Sequence, residues 1–133
     1  MYTEHWSGKV NKLILIILSG CLSLFALEFH TYKEALKIQK RNGKIIMIDV
    51  VRSDCHYCKD MQREVFDNKE MSVWLDKRFI PVKLNLDYDE LPLGLHVYFT
   101  PTFFFVDSDQ QIIKKIPGSW NIEDFKDLTK NIK

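Results

Sequence analysis

"KIIMIDVVRSDCHYCKD", residues 44–60, joins two kinds of pattern. Its first half, residues 44–51, is an apolar run rich in β-branched side chains and broken by a single acid, Asp49. A run of that length and composition suits a central strand covered on both faces. Its second half sets Cys55 and Cys58 three apart around His56 and Tyr57. From His56 onward Met61, Val65 and Phe66 recur at helical spacing, so the pair is expected where the strand ends and a helix over residues 56–68 begins.

The flanks extend the pattern. Upstream, Thr31 and Glu34 have the spacing of a capping box, and Tyr32, Ala35, Leu36 and Ile38 form an apolar stripe for a helix over residues 31–41. Asn42-Gly43 ends it, with Gly43 free to take the left-handed conformation. Downstream, Asn68 is placed to cap a second helical segment carrying Met71, Trp74 and Leu75. Residues 79–87 read as a strand, residues 88–99 as irregular, with Pro92 and Gly94, and residues 101–107 as a buried strand. A turn and a lysine-bearing edge strand, residues 111–116, follow, and Pro117-Gly118 stops it. Asn121 then caps a last helix with Ile122, Phe125, Leu128 and Ile132 on one face. Strands alternating with helices predict an α/β domain with a mixed sheet of about four strands, parallel pairing at its centre and a hairpin near its end.

The 133 residues carry Lys+Arg 19 against Asp+Glu 18, a net charge of +1 with no basic block, which argues against a nucleic-acid partner. Lys9 and Lys12 precede an uncharged apolar run, residues 13–27, shorter than the roughly 18–20 residues that span a bilayer. A basic flank before a short apolar run has the form of an export signal. "LSGC", residues 18–21, resembles a lipobox that would lipidate Cys21; cleavage after Ala26 would release a soluble protein; retention would leave an anchor in the membrane. The expected organisation is a signal or anchor over residues 1–26 and one domain over residues 27–133. The expected compartment is the periplasm or the outer face of a membrane, where disulfide chemistry operates.

The cysteine pair itself admits three readings: a redox couple, half of a metal site, or a structural disulfide. A C-x-x-C disulfide closes too small a loop to stabilise a fold much through chain entropy. A structural zinc site takes four ligands, and His5, His30, His56 and His96 have no paired spacing. Copper or zinc held by the two thiolates alone is the rival chemistry, and a fold that only binds partners, with a vestigial pair, is the second rival. At a helix start, by contrast, backbone N–H groups and the helix dipole favour a thiolate at Cys55, the species that attacks disulfides. Cys58, one turn on, is placed to resolve the mixed disulfide, and a protonated His56 would add positive charge beside Cys55.

Taken together these residues resemble a thioredoxin-fold disulfide oxidoreductase of the exported kind. The resemblance covers about residues 31–133 and rests on three matches beyond C-x-x-C. Asp49, inside the strand, stands where the family carries a buried acid that assists proton transfer. "TPT", residues 100–102, is similar to the family's cis-proline loop, and Gly118 to the glycine before the last helix. The sequence departs from the family in carrying Val51 and Asp54 where tryptophans are common before the first cysteine, and His-Tyr rather than Gly-Pro between the cysteines. Thr100 before the proline is similar to the periplasmic disulfide isomerases. The resemblance implies a thioredoxin fold, Cys55, Cys58 and Asp49 as catalytic residues, and Thr100, Pro101, His56 and Tyr57 as substrate contacts. It also implies protein thiol or disulfide substrates, a membrane or periplasmic redox partner that resets the pair, and no cofactor or metal.

Overall fold

The computed structural model describes residues 26–133; the expected signal segment and Cys21 lie outside the described residues. Helix α1 (Tyr32–Asn42) is opened by the complete Thr31–Glu34 capping box and closed by Gly43 at φ 69°. Strand β1 (Ile45–Val51) is buried along its whole length. Helix α2 (His56–Met61) runs into a π-turn (Gln62–Phe66), and Asn68 caps helix α3 (Lys69–Arg78). Strand β2 (Phe79–Asn85), a short 3₁₀ turn (Pro92–Gly94) and the hairpin of β3 (Thr102–Val106) with β4 (Ile112–Pro117) lead to helix α4 (Ile122–Thr129), capped by Asn121.

The four strands lie in the order β2-β1-β3-β4. β1 pairs parallel with β2 and antiparallel with β3, and β3 pairs antiparallel with β4. The mixed four-stranded sheet and its terminal hairpin are those that the alternation of elements predicts, but the parallel pair does not sit at the centre: β2 is an outer strand, and the two central strands, β1 and β3, run antiparallel.

Side chains on a strand point alternately to its two faces, and that parity sorts the core. Ile46, Ile48 and Val50 join Ala35, Val82, Leu84, Phe104 and Val106 beneath α1. Ile45 and Met47 join Met61, Val65, Phe66, Leu75, Phe79, Phe103 and Phe125 beneath α2, α3 and α4. Phe66 is the hub of that second layer, edge-on to Phe29 at 5.4 Å, Phe103 at 6.1 Å and Phe125 at 6.3 Å. Asp49 and Lys83 have the parity of this layer, so the one acid of β1 and the one cation of β2 fall on the cysteine-bearing face, in register with each other.

The structure departs from the sequence reading within residues 56–68, where a plain α-helix was expected. The Asp67 N–H bonds to the Gln62 carbonyl at 2.8 Å, an i to i+5 step. Val65 and Phe66, on this wider turn, both lie in the core behind Met61.

Candidate active site

The site is assembled from the end of β1, the start of α2 and the loop before β3. Cys55 is the N-cap of α2, and Cys55 and Cys58 are joined as a disulfide, S–S 2.11 Å. The sulfur of Cys55 accepts two hydrogen bonds, from the Cys58 N–H at 3.1 Å and from the Thr100 hydroxyl at 3.2 Å. Donors aimed at that sulfur favour a thiolate there once the bond is opened. Cys55 is buried while Cys58 is partly exposed.

The turn that carries the pair is braced from β2. The Ser53 N–H donates to Asp87 Oδ2 at 2.8 Å, the Asn85 amide donates to Ser53 Oγ at 3.0 Å, and the Leu86 N–H donates to the Val51 carbonyl at 2.9 Å. The bonds from Ser53 hold the Asp87 carboxyl below its usual range. On the other side, the Thr100–Pro101 peptide bond is cis, and the Pro101 carbonyl accepts from the Gly118 N–H at 2.8 Å. Gly118 has φ 93°, a conformation that an L side chain rarely adopts. Hydrogen bonding thus ties the proline loop to the glycine between β4 and α4.

Tyr57, Phe99, Thr100, Gly118 and Ser119 line an open cleft of about 320 Å³ beside the disulfide. Tyr57 is 62% exposed and Phe99 58% exposed, so the rim of this cleft is aromatic and solvent-facing. Tyr57 leans edge-on against His56. His56 itself points outward: its side chain is 80% exposed and its Nε2 lies 3.2 Å from Asp60 Oδ2. A proton on His56 is therefore set against the Asp60 charge rather than directed at Cys55 alone.

Asp49 is buried, in the middle of β1, and its Oδ1 has no hydrogen-bond partner. Burial pushes its carboxyl up to about 7, and the Lys83 ammonium, 4.0 Å from Oδ2, opposes that rise. Burial likewise lowers the Lys83 ammonium from its ordinary value, against the pull of Asp49 and Asp67. A second cleft, lined by Val51, Arg52, Cys55, Cys58, Lys59, Gln62 and Lys83, joins the cysteines to this cation.

The structure thus brings Cys55, Cys58, Thr100, Pro101 and Tyr57 around one disulfide and puts Asp49 on the same face of the sheet. Sequence reasoning missed Lys83 and Gln62. Lys83 was legible as a lone cation inside an otherwise apolar strand. Gln62 stands four residues after Cys58, one helical turn away, but a glutamine on a helix carries no distinguishing pattern. Among the described residues no three His, Cys, Asp or Glu side chains gather as a metal-binding group.

Residues 32–133 match the thioredoxin-like domain family. The chain belongs to that family. Among curated proteins it is similar to human spermatogenesis-associated protein 20, 35% identical over 68 residues, which cover 51% of this chain and 8% of that protein. The mouse form is 37% identical over the same length and shares. The chain therefore matches only a small part of the length of these relatives. Among solved structures, a thioredoxin from Thermus thermophilus is 26% identical with TM-score 0.71, covering 80% of this chain and 87% of that one. A DsbH oxidoreductase superposes at TM-score 0.68 with 18% identity over 79% of this chain and 83% of that one. The oxidised C-terminal domain of DsbD from Neisseria meningitidis superposes at TM-score 0.58 with 20% identity, over 80% and 100%. The thioredoxin-like domain thus presents a C-x-x-C couple at a helix start, under hydrogen-bond donors to its first sulfur, an arrangement suited to thiol–disulfide exchange.

Proposed function

We propose that this domain is a thiol–disulfide oxidoreductase that exchanges disulfides with protein substrates outside the cytoplasm, working in the reductase or isomerase direction. In the reducing cycle the Cys55 thiolate attacks a substrate disulfide. A Cys55–substrate S–S bond forms, the substrate S–S bond breaks, and the departing sulfur leaves as a thiolate that takes a proton from solvent. Cys58 gives its proton to Asp49 and attacks the Cys55 sulfur. The second substrate thiol leaves, and the Cys55–Cys58 disulfide remains. The substrate has gained two electrons and the protein has lost two, so a dithiol partner at the membrane or in the periplasm must return them. Thr100 and Pro101 seat an extended substrate segment by strand addition, and His56 and Tyr57 border the point of attack.

The observation that carries this reading is the Cys55 sulfur at the start of α2, accepting from both the Cys58 N–H and the Thr100 hydroxyl. The export step is supported by the basic-flanked apolar run of residues 9–27 and its two candidate processing points, Cys21 and Ala26. No helix among the described residues is long and apolar enough to cross a membrane. The test is disulfide exchange by the purified protein with Cys55→Ser: activity should be lost. Exchange retained by that variant overturns the assignment of Cys55.

A further inference from the structure

Gln62 opens the π-turn one helical turn beyond Cys58, and its amide is engaged at both ends. Its Oε1 accepts from Lys83 Nζ at 2.6 Å, and its Nε2 donates to Asp67 Oδ1 at 2.7 Å. The same ammonium sits over the Phe29 ring at 4.1 Å and the Phe66 ring at 5.8 Å. Its distance to Asp49 Oδ2 is 4.0 Å, beyond hydrogen-bond reach. The short bond of Lys83 therefore goes to a neutral amide, while the buried carboxyl beside it keeps one oxygen with no hydrogen-bond partner. A cation that had Asp49 as its nearest strong acceptor would be expected to close on it, because charge-assisted bonds to carboxylate are about twice as strong as neutral ones.

We propose that Gln62 is a positioning residue: it holds the Lys83 ammonium at a set distance from Asp49 and so governs proton exchange at that carboxyl. This rests on the proposed use of Asp49 as the proton acceptor for Cys58. The surroundings leave few other groups to do the work. Lys83 is the register partner of Asp49 in β2, and the partner in β3 is the apolar Phe103. The helix on this face contributes Cys58 and Gln62 to the cleft, with Arg52 and Lys59 at its margin, and Asp67 acts on Lys83. The π-turn has a consequence here, since it is the turn whose first residue bonds Lys83 and whose last carries the core ring Phe66.

The test follows the Asp49 side-chain carboxyl by carbon NMR across pH, in the oxidised full chain, where the Cys55–Cys58 pair does not titrate. Gln62→Leu frees the ammonium to close on Asp49 and should move the midpoint acidward by roughly one pH unit. Gln62→Glu keeps the ammonium engaged and adds a negative charge, so the midpoint should move the other way. In a Lys83→Met background Gln62→Leu should have no effect. Midpoints that stay put, that move in the same direction in both variants, or that respond to Gln62→Leu without Lys83 overturn the proposal. If the leucine variant does not fold, the near-isosteric Gln62→Glu decides it by comparison with and without Lys83→Met: a rise larger with Lys83 present supports the coupling, and a rise equal in both backgrounds, which direct repulsion alone would give, ends it. The readout needs no exchange activity, so it fails separately from the proposed function. In turn, an exchange-rate profile that ignores a shifted Asp49 overturns the role of Asp49 toward Cys58 while leaving the Gln62 coupling standing.

Discussion

Asp49 shows how a single buried group ties stability to chemistry. Its carboxyl lies at about 7 in the folded chain against an ordinary value of 3.8. Between those values the folded state holds a proton that the unfolded state has released, so stability falls as pH rises through that window and levels off above it. Asp49→Asn removes the slope. In chemical denaturation of the oxidised protein, the variant should gain on wild type by on the order of 3 kcal/mol between about pH 4 and about pH 8. Parallel pH profiles for the two proteins would show that the carboxyl titrates at its ordinary value. Much of this site was legible at the level of single residues: an acid inside an apolar run, two cysteines directly after it, and a threonine-proline step before the next buried strand. The hidden part was the partner set. Lys83 reaches Asp49 only because parallel register puts the two opposite each other, and register is a property of the folded sheet. The outward turn of His56 toward Asp60 was hidden for a similar reason, since it depends on a rotamer and not on spacing.

Helix boundaries were readable where capping chemistry marks them. Thr31, Asn68 and Asn121 each accept from the backbone N–H three residues on, and Gly43 takes the left-handed turn that ends α1. Replacing Asn121 by alanine should cost about 1 kcal/mol, read as a lowered denaturant midpoint at unchanged slope. The interior of the second helical stretch was less readable. Met61, Val65 and Phe66 read as helical spacing, but nothing in that spacing announces the i to i+5 step that the chain takes from Gln62 to Asp67. Phe66 is only 1% exposed and meets three other rings in edge-on contacts. Phe66→Ala should therefore destabilise by about 3–5 kcal/mol in the same denaturation experiment. A loss below about 1 kcal/mol would mean that the layer beneath α2 does not depend on that ring.

Across the whole molecule, the order of elements was legible because apolar periodicity changes from strand to helix and back along the chain, with Gly and Pro at the joints. That order allows few arrangements, and the mixed four-stranded sheet follows from it. The stretch between β2 and β3 was legible only as irregular. It contains a single 3₁₀ turn and leaves Tyr88, Tyr98 and Phe99 facing solvent, the last beside the disulfide cleft. No periodic signal announces such a rim, because aromatic residues that face a partner obey no internal packing rule. The function proposed for the assembled domain stands on the Cys55–Cys58 pair being exchangeable rather than structural. The most direct test is the reduction potential of that couple, measured by equilibrating the purified protein with graded dithiol–disulfide buffers. An exchange couple should titrate between about −270 and about −120 mV, whereas a potential below about −300 mV would mark a structural disulfide and contradict the account.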